Sequence, residues 1–114
     1  MTLLATLADT SRRVAATPAR LAKLRELAAL LAELAPGEIG IAVNYLSGEI
    51  PQGRIGIGPA ALGRAAAVEP AQVATLSVAT VDERLTSLAA IGGGGSAARR
   101  AQRLRELFAL ATTP

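Results

Sequence analysis

Between Gly48 and Pro59 the chain holds four glycines and two prolines in twelve residues, and no single helix can run through them. Within a helix each glycine costs about 1 kcal/mol and each proline about 3 kcal/mol relative to alanine. An apolar helical pattern (Ile39, Ile41, Val43, Leu46) stops at Ser47-Gly48, and helical composition resumes at Ala60, Ala61 and Leu62. The chain must therefore fold as helices hinged on an irregular loop. Inside that loop Ile55-Gly56-Ile57-Gly58 alternates, so two branched side chains are expected to bury while the backbone beside them stays bare. Pro59 suits a first helical position, and bare backbone opening a helix presents free N–H groups to an anion.

The rest of the chain reads as helices separated by clear breaks. Leu3, Leu4, Leu7, Ser11 and Val14 step at helical spacing and predict a first helix over about 3–15, with Arg12 and Arg13 near its end, where cations suit the helix dipole. Thr17 offers an N-cap with Pro18 at the first position. Leu21, Leu24, Leu27, Ala28, Leu31 and Leu34 then form one stripe, predicting a second helix over 18–34. Pro36-Gly37 breaks it. A third helix over about 37–47 is apolar nearly all round, which predicts a central, buried position. A short helix over 59–67 follows the loop. Ser77, or alternatively Thr80 with Glu83 as a capping box, starts a helix carrying Val81, Leu85, Leu88 and Ile91. Gly92 to Gly95 ends it, and Ser96 is the expected cap of a last helix with Ala97, Ala101, Leu104, Leu107, Phe108 and Ala111 on one side. The expectation is an all-α bundle of about six helices.

Composition narrows the function. The sequence is 51% hydrophobic, yet its longest uncharged runs are broken by glycine or proline and fall short of the roughly 20 continuous apolar residues of a membrane span. Cysteine and histidine are absent, which removes disulfides, thiolate metal sites and histidine acid/base chemistry. The two Asp and seven Glu mostly fall among arginines on helix faces, where i,i+4 pairing accounts for them. No G-x-x-x-x-G-K-[ST] phosphate loop is present. Catalysis by this chain alone is not expected.

Charge is informative by position. Up to residue 98 there are eight basic and eight acidic residues, so the net +3 arises from Arg99, Arg100, Arg103 and Arg105 against Glu106. A cluster of this size is either a solvated helix face or an anion-binding surface. The glycine run at 92–95 is either a bare linker or a mobile phosphate loop opening onto a helix N-terminus. An internal echo adds to this. Residues 20–30 and 100–110 align at an offset of 80, with Leu-Arg-Glu-Leu identical in both. If this is a repeat, the second copy is cut off at Pro114 and the chain holds one unit and a fraction of another. Arg20 and Arg100 lie toward the apolar stripe near a helix start, where each either snorkels or reaches a phosphate.

At the loop the sequence resembles a known family. Leu46-Ser47-Gly48, Pro51-Gln52 and Gly56-Ile57-Gly58, followed by Leu62, resemble the N-terminal DNA-binding domain of bacterial ATP-dependent DNA ligases. That resemblance covers most of the chain and implies an all-helical domain of two pseudo-symmetric halves. Thr17, Arg20-Leu21 and Lys23 resemble the opening of the first half. Gly95-Ser96-Ala97-Ala98-Arg99-Arg100, then Leu104, Leu107-Phe108 and Ala111, resemble the small-residue turn and paired basic residues that open the second. On this basis the first repeat spans about 1–91 and the second begins over about 96–114.

The resemblance further implies sequence-independent binding to the backbone of nicked double-stranded DNA, within a ligase that seals nicks in replication, repair or recombination. ATP and Mg2+ are implied for the parent enzyme, whose nucleotidyltransferase and OB-fold domains, the partners in cis, are not represented here. The adenylated lysine of a K-x-D-G motif is absent, since Lys23, the sole lysine, is followed by Leu24-Arg25-Glu26. A cytoplasmic, nucleoid-associated location follows from the same likeness. The candidate phosphate-binding residues are Thr17, Arg20, Arg54, Gly56, Gly58, Gly95, Ser96, Arg99 and Arg100. The lack of aromatics argues against base stacking on single strands. The competing expectation is a helical protein-interaction or scaffolding module, with a basic end that only solubilises it. A half-domain should also expose apolar surface and is expected to self-associate.

Overall fold

The computed structural model describes residues 1–113, so the expected break at Pro114 lies outside the described residues. Six helices form: α1 (Leu4–Ala16), α2 (Arg20–Glu33), α3 (Pro36–Leu46), α4 (Pro59–Ala66), α5 (Val78–Ala89) and α6 (Ser96–Ala109). Among the described residues there are no strands, only the isolated bridges Leu3–Ser77 and Ala71–Thr112. The all-α expectation holds.

The helices pack as a relay. α2 lies on α1, α1 touches α3, α3 meets α5, α5 meets α6, and α6 packs along α4. This order gives an elongated body of 50 × 27 × 23 Å, and the core divides accordingly. Leu7, Leu30, Leu34, Ala42 and Val78 form one cluster, Leu76, Val81, Leu85 and Leu107 a second, and Ala65, Leu88 and Leu104 a third. Ile55 touches the second and third clusters and Ile57 the third, so the alternating loop isoleucines are anchors, as their pattern predicted.

Local chemistry sets the helix ends. Ser77 caps α5, its Oγ accepting from the Thr80 N–H at 3.1 Å, so the Thr80/Glu83 alternative is not used. Pro36 opens α3, and the Glu38 carboxylate reaches back to the Ala35 N–H at 2.9 Å. The same buried carboxylate accepts from the Thr2 N–H at 2.9 Å and the Thr2 hydroxyl at 2.8 Å, pinning the N-terminus to α3. These bonds to its charged form hold the Glu38 pKa below the usual carboxylate range, led by the Ala35 N–H.

Several sequence expectations are corrected. Thr17 does not cap α2: its N–H bonds the Val14 carbonyl and its hydroxyl donates to the Arg13 carbonyl at 2.6 Å, so it closes α1 and α2 starts at Arg20. Ser96 is the first residue of α6 rather than its cap. Gly95, at φ +74°, takes the cap position with no side-chain bond. The α2 stripe is largely turned outward, with Leu21 68% and Leu24 53% exposed, while Leu30 and Leu34 carry the burial. The third helix is not buried all round either, since Ile39 and Val43 face outward and only Glu38 and Ala42 are buried. Both departures follow from the packing: α2 lies chiefly on α1, and α3 on α5 and α1, so each keeps a face with no helix packed closely over it. On the other side an open apolar groove of about 890 Å³ runs between α1, α4 and α6, lined by Leu4, Ile55, Leu62 and Phe108 among others. The expected exposure of apolar surface is therefore present.

Candidate nucleic-acid interface

The loop between α3 and α4 is held by side chains from distant helices. Its first turn is local: the Ser47 hydroxyl donates to the Val43 carbonyl at 2.6 Å, and the Glu49 N–H bonds the Asn44 carbonyl at 2.9 Å. Gln52 then spans to α5, its amide donating to Asp82 Oδ1 at 2.7 Å, the Asp82 carbonyl at 3.2 Å and Thr86 Oγ1 at 3.0 Å. Tyr45 packs beside this contact with its hydroxyl buried and no partner among the described residues. Burial first, and then the Asp82 charge, pushes its pKa up to about 12. Gln52 entered the sequence reading only as part of a resemblance. Its preceding Pro51 signals a turn, but nothing local points to α5.

Beyond Gln52 the loop reaches Gly56 at φ +73°. Glycine suits that backbone sign, and its missing Cβ, which would sit 2.7 Å from Arg100 Nε, lets the arginine lie against the loop without shifting. Arg100 is half-buried in α6. Its Nε donates to the Gly56 carbonyl at 3.2 Å and its Nη1 to the Ile91 carbonyl at 2.8 Å. One guanidinium therefore ties the 53–58 loop to the start of the 92–95 turn. Arg99 closes that turn from the other side, donating to the Gly94 carbonyl at 2.8 Å and the Gly92 carbonyl at 2.6 Å. The four-glycine run is a bonded turn.

The structure thus brings Gly56 and Gly58, which open α4, together with Gly95, Ser96, Arg99 and Arg100, which open α6. Gly58 is the N-cap of α4 with ordinary extended backbone, and Pro59 follows as predicted. Arg54 projects from the loop exposed, with no hydrogen-bond or ion-pair partner among the described residues. Thr17 and Arg20 sit apart from this group, at the α1–α2 junction, whose principal contacts are with each other and α3. Arg20 and Arg100, aligned in the sequence echo, take different settings. Arg20 is the exposed first residue of α2, whereas Arg100 lies a full turn inside α6.

The two ion pairs among the described residues, Arg12–Asp9 and Arg13–Glu26, both involve α1. Glu26 of α2 meets Arg13 at 3.0 Å. Arg54, Arg84, Arg99, Arg100 and Arg103, at the loop–α6 end, have no carboxylate partner among the described residues, and the same holds for Arg20, Lys23 and Arg25 of α2. No group of carboxylates among those residues could hold a metal ion, and no described helix is long and apolar enough to cross a membrane.

Comparison with known proteins places the chain's sequence among DNA ligases. Over 110 residues, 96% of the chain, it is 52% identical to a protein of Streptomyces griseus named "probable DNA ligase". A probable DNA ligase of Anaeromyxobacter dehalogenans is 46% identical over 98% of the chain, and one of Streptomyces coelicolor is 47% identical over 93%. The chain is related to part of a DNA ligase. It spans about a fifth of the length of these ligases (21%, 22% and 20%). No protein-family model matches this ligase-related chain, and no solved structure matches it.

Proposed function

We propose that this chain is a duplex-DNA-binding portion of an ATP-dependent DNA ligase, gripping the sugar–phosphate backbone without reading sequence. The observation that carries it is the meeting of two glycine turns, each opening a helix, at an end of the molecule whose arginines lack carboxylate partners. Helix N-termini and arginines are the donor set for phosphates, and such contacts position a protein on DNA without base discrimination. In this reading the remaining ligase domains, with ATP and Mg2+, carry out adenylation and sealing of the nick, and this portion helps hold the duplex.

The test is binding of the chain to a labelled nicked duplex between 50 and 200 mM salt. Log affinity should fall linearly with log salt, and Arg54→Gln should lower the slope by about 0.9, the value for one phosphate contact. Salt-independent binding, or none by a folded monomer, overturns the reading. The outward-facing Leu21, Leu24, Ile39 and Val43 favour a second reading, a protein-interaction module, whose association would persist as salt rises.

A further inference from the structure

A second set of cations converges away from the glycine turns. Between α5 and α6 lies a small cleft of about 250 Å³, lined by Arg84, Ser87, Leu88, Ile91 and Arg103. Arg84, Ser87 and Leu88 stand at i, i+3 and i+4 of α5 and so share a face. Arg103 reaches the same cleft from α6. Neither guanidinium has a hydrogen-bond or ion-pair partner among the described residues, and no carboxylate lines the cleft. Two cations lining one cleft that has no carboxylate in its lining repel one another, and an anion between them reverses the sign of that interaction. Leu88 is 2% exposed and Ile91 half-buried. They give the cleft an apolar wall, where a charge interaction is screened less than in open solvent.

The donor chemistry selects the ligand. Two guanidiniums offer fork-like pairs of N–H groups, and the Ser87 hydroxyl adds a neutral donor, a set suited to a tetrahedral oxyanion. The cleft also adjoins the proposed DNA surface. The Ile91 carbonyl, on its border, accepts from Arg100, whose other bond goes to Gly56. We infer that Arg84, Ser87 and Arg103 form a phosphate seat for a DNA-backbone phosphodiester, beside the one engaged at the glycine turns. This inference rests on the DNA-binding reading and extends it to residues outside the turns.

Two measurements test it. Inorganic phosphate titrated into the chain should produce saturable NMR shifts at the Ser87 amide and at the Arg84 and Arg103 side-chain Nε–H groups. Those shifts should vanish in Arg84→Gln/Arg103→Gln, whose exposed positions leave the circular dichroism spectrum unchanged. On nicked duplex the double variant should lower the salt slope by about 1.8, or roughly a tenfold smaller loss of affinity between 50 and 200 mM salt. Salt-dependent binding by the wild type with an unchanged slope in the double variant overturns the seat while leaving the DNA-binding reading intact. Saturable phosphate shifts in a chain that does not bind duplex overturn the backbone assignment in favour of a free-phosphate site. Absence of saturable phosphate shifts overturns the seat itself.

Discussion

Glu38 shows how much one side chain contributes when its environment is complete. Its carboxylate closes the start of α3 through Ala35 and accepts two bonds from Thr2, so the N-terminal residues are held by a single charge. Because those bonds favour the ionised form, the folded pKa lies below the ordinary 4.5. The linked stability is thus fully present above the unfolded-state pKa and is lost as pH falls through the depressed folded value. Glu38→Gln should therefore be less stable than the wild type at neutral pH, and the gap in urea midpoint should narrow steadily below about pH 4.5. A gap constant across that range would show that the carboxylate charge is not what matters. The sequence offered Glu38 as one of several carboxylates on helix faces. Thr2 is 36 residues away, and no local pattern could pair them.

Among the elements, the two loops matter more than the helices they join. Their glycines were legible, because positive φ and helix breaks leave a compositional trace at Gly53, Gly56, Gly93 and Gly95. The connection between the loops was not. Arg99 and Arg100 read in the sequence as candidate phosphate-binding residues; both guanidiniums are bonded to backbone carbonyls. A guanidinium can span the Gly56 and Ile91 carbonyls with separate nitrogens, and a lysine ammonium, a point charge on a flexible stem, cannot reproduce that fork. Arg100→Lys should therefore behave like Arg100→Gln: faster amide exchange at residues 54–57 and a loss of about 1–2 kcal/mol in unfolding free energy. If Arg100→Lys retained wild-type exchange rates, charge alone would suffice and the strut would be dismissed.

At the scale of the whole molecule, the relay of helices leaves apolar surface on both flanks: Leu21 and Leu24 on the outer face of α2, and the open groove between α1, α4 and α6. Exposed apolar patches of this kind mark contact surfaces, and the chain corresponds to only about a fifth of its ligase relatives. Concentration-dependent self-association is expected in sedimentation velocity. Leu21→Ser/Leu24→Ser should reduce it while changing stability by no more than about 0.5 kcal/mol per site, as for exposed positions generally. Unfolding of the double variant instead would show that these leucines carry core packing.

What the sequence alone determined was the all-helical class, the number of helices, most of their breaks and the two glycine loops. Each of these depends on neighbours within a few residues: hydrophobic periodicity, a proline at a helix start, a serine at Ser77, glycine where the backbone turns. What only the tertiary structure decided was which side of each helix is buried and which donor meets which acceptor. The α2 leucines form a regular stripe in sequence, yet α1 covers just one edge of it. Gln52 finds Asp82, Arg100 finds Gly56, and Arg103 comes to line one cleft with Arg84 across separations that no helical period spans. Periodicity shows that a helix has an apolar face, whereas packing between sequence-distant elements chooses what lies against it.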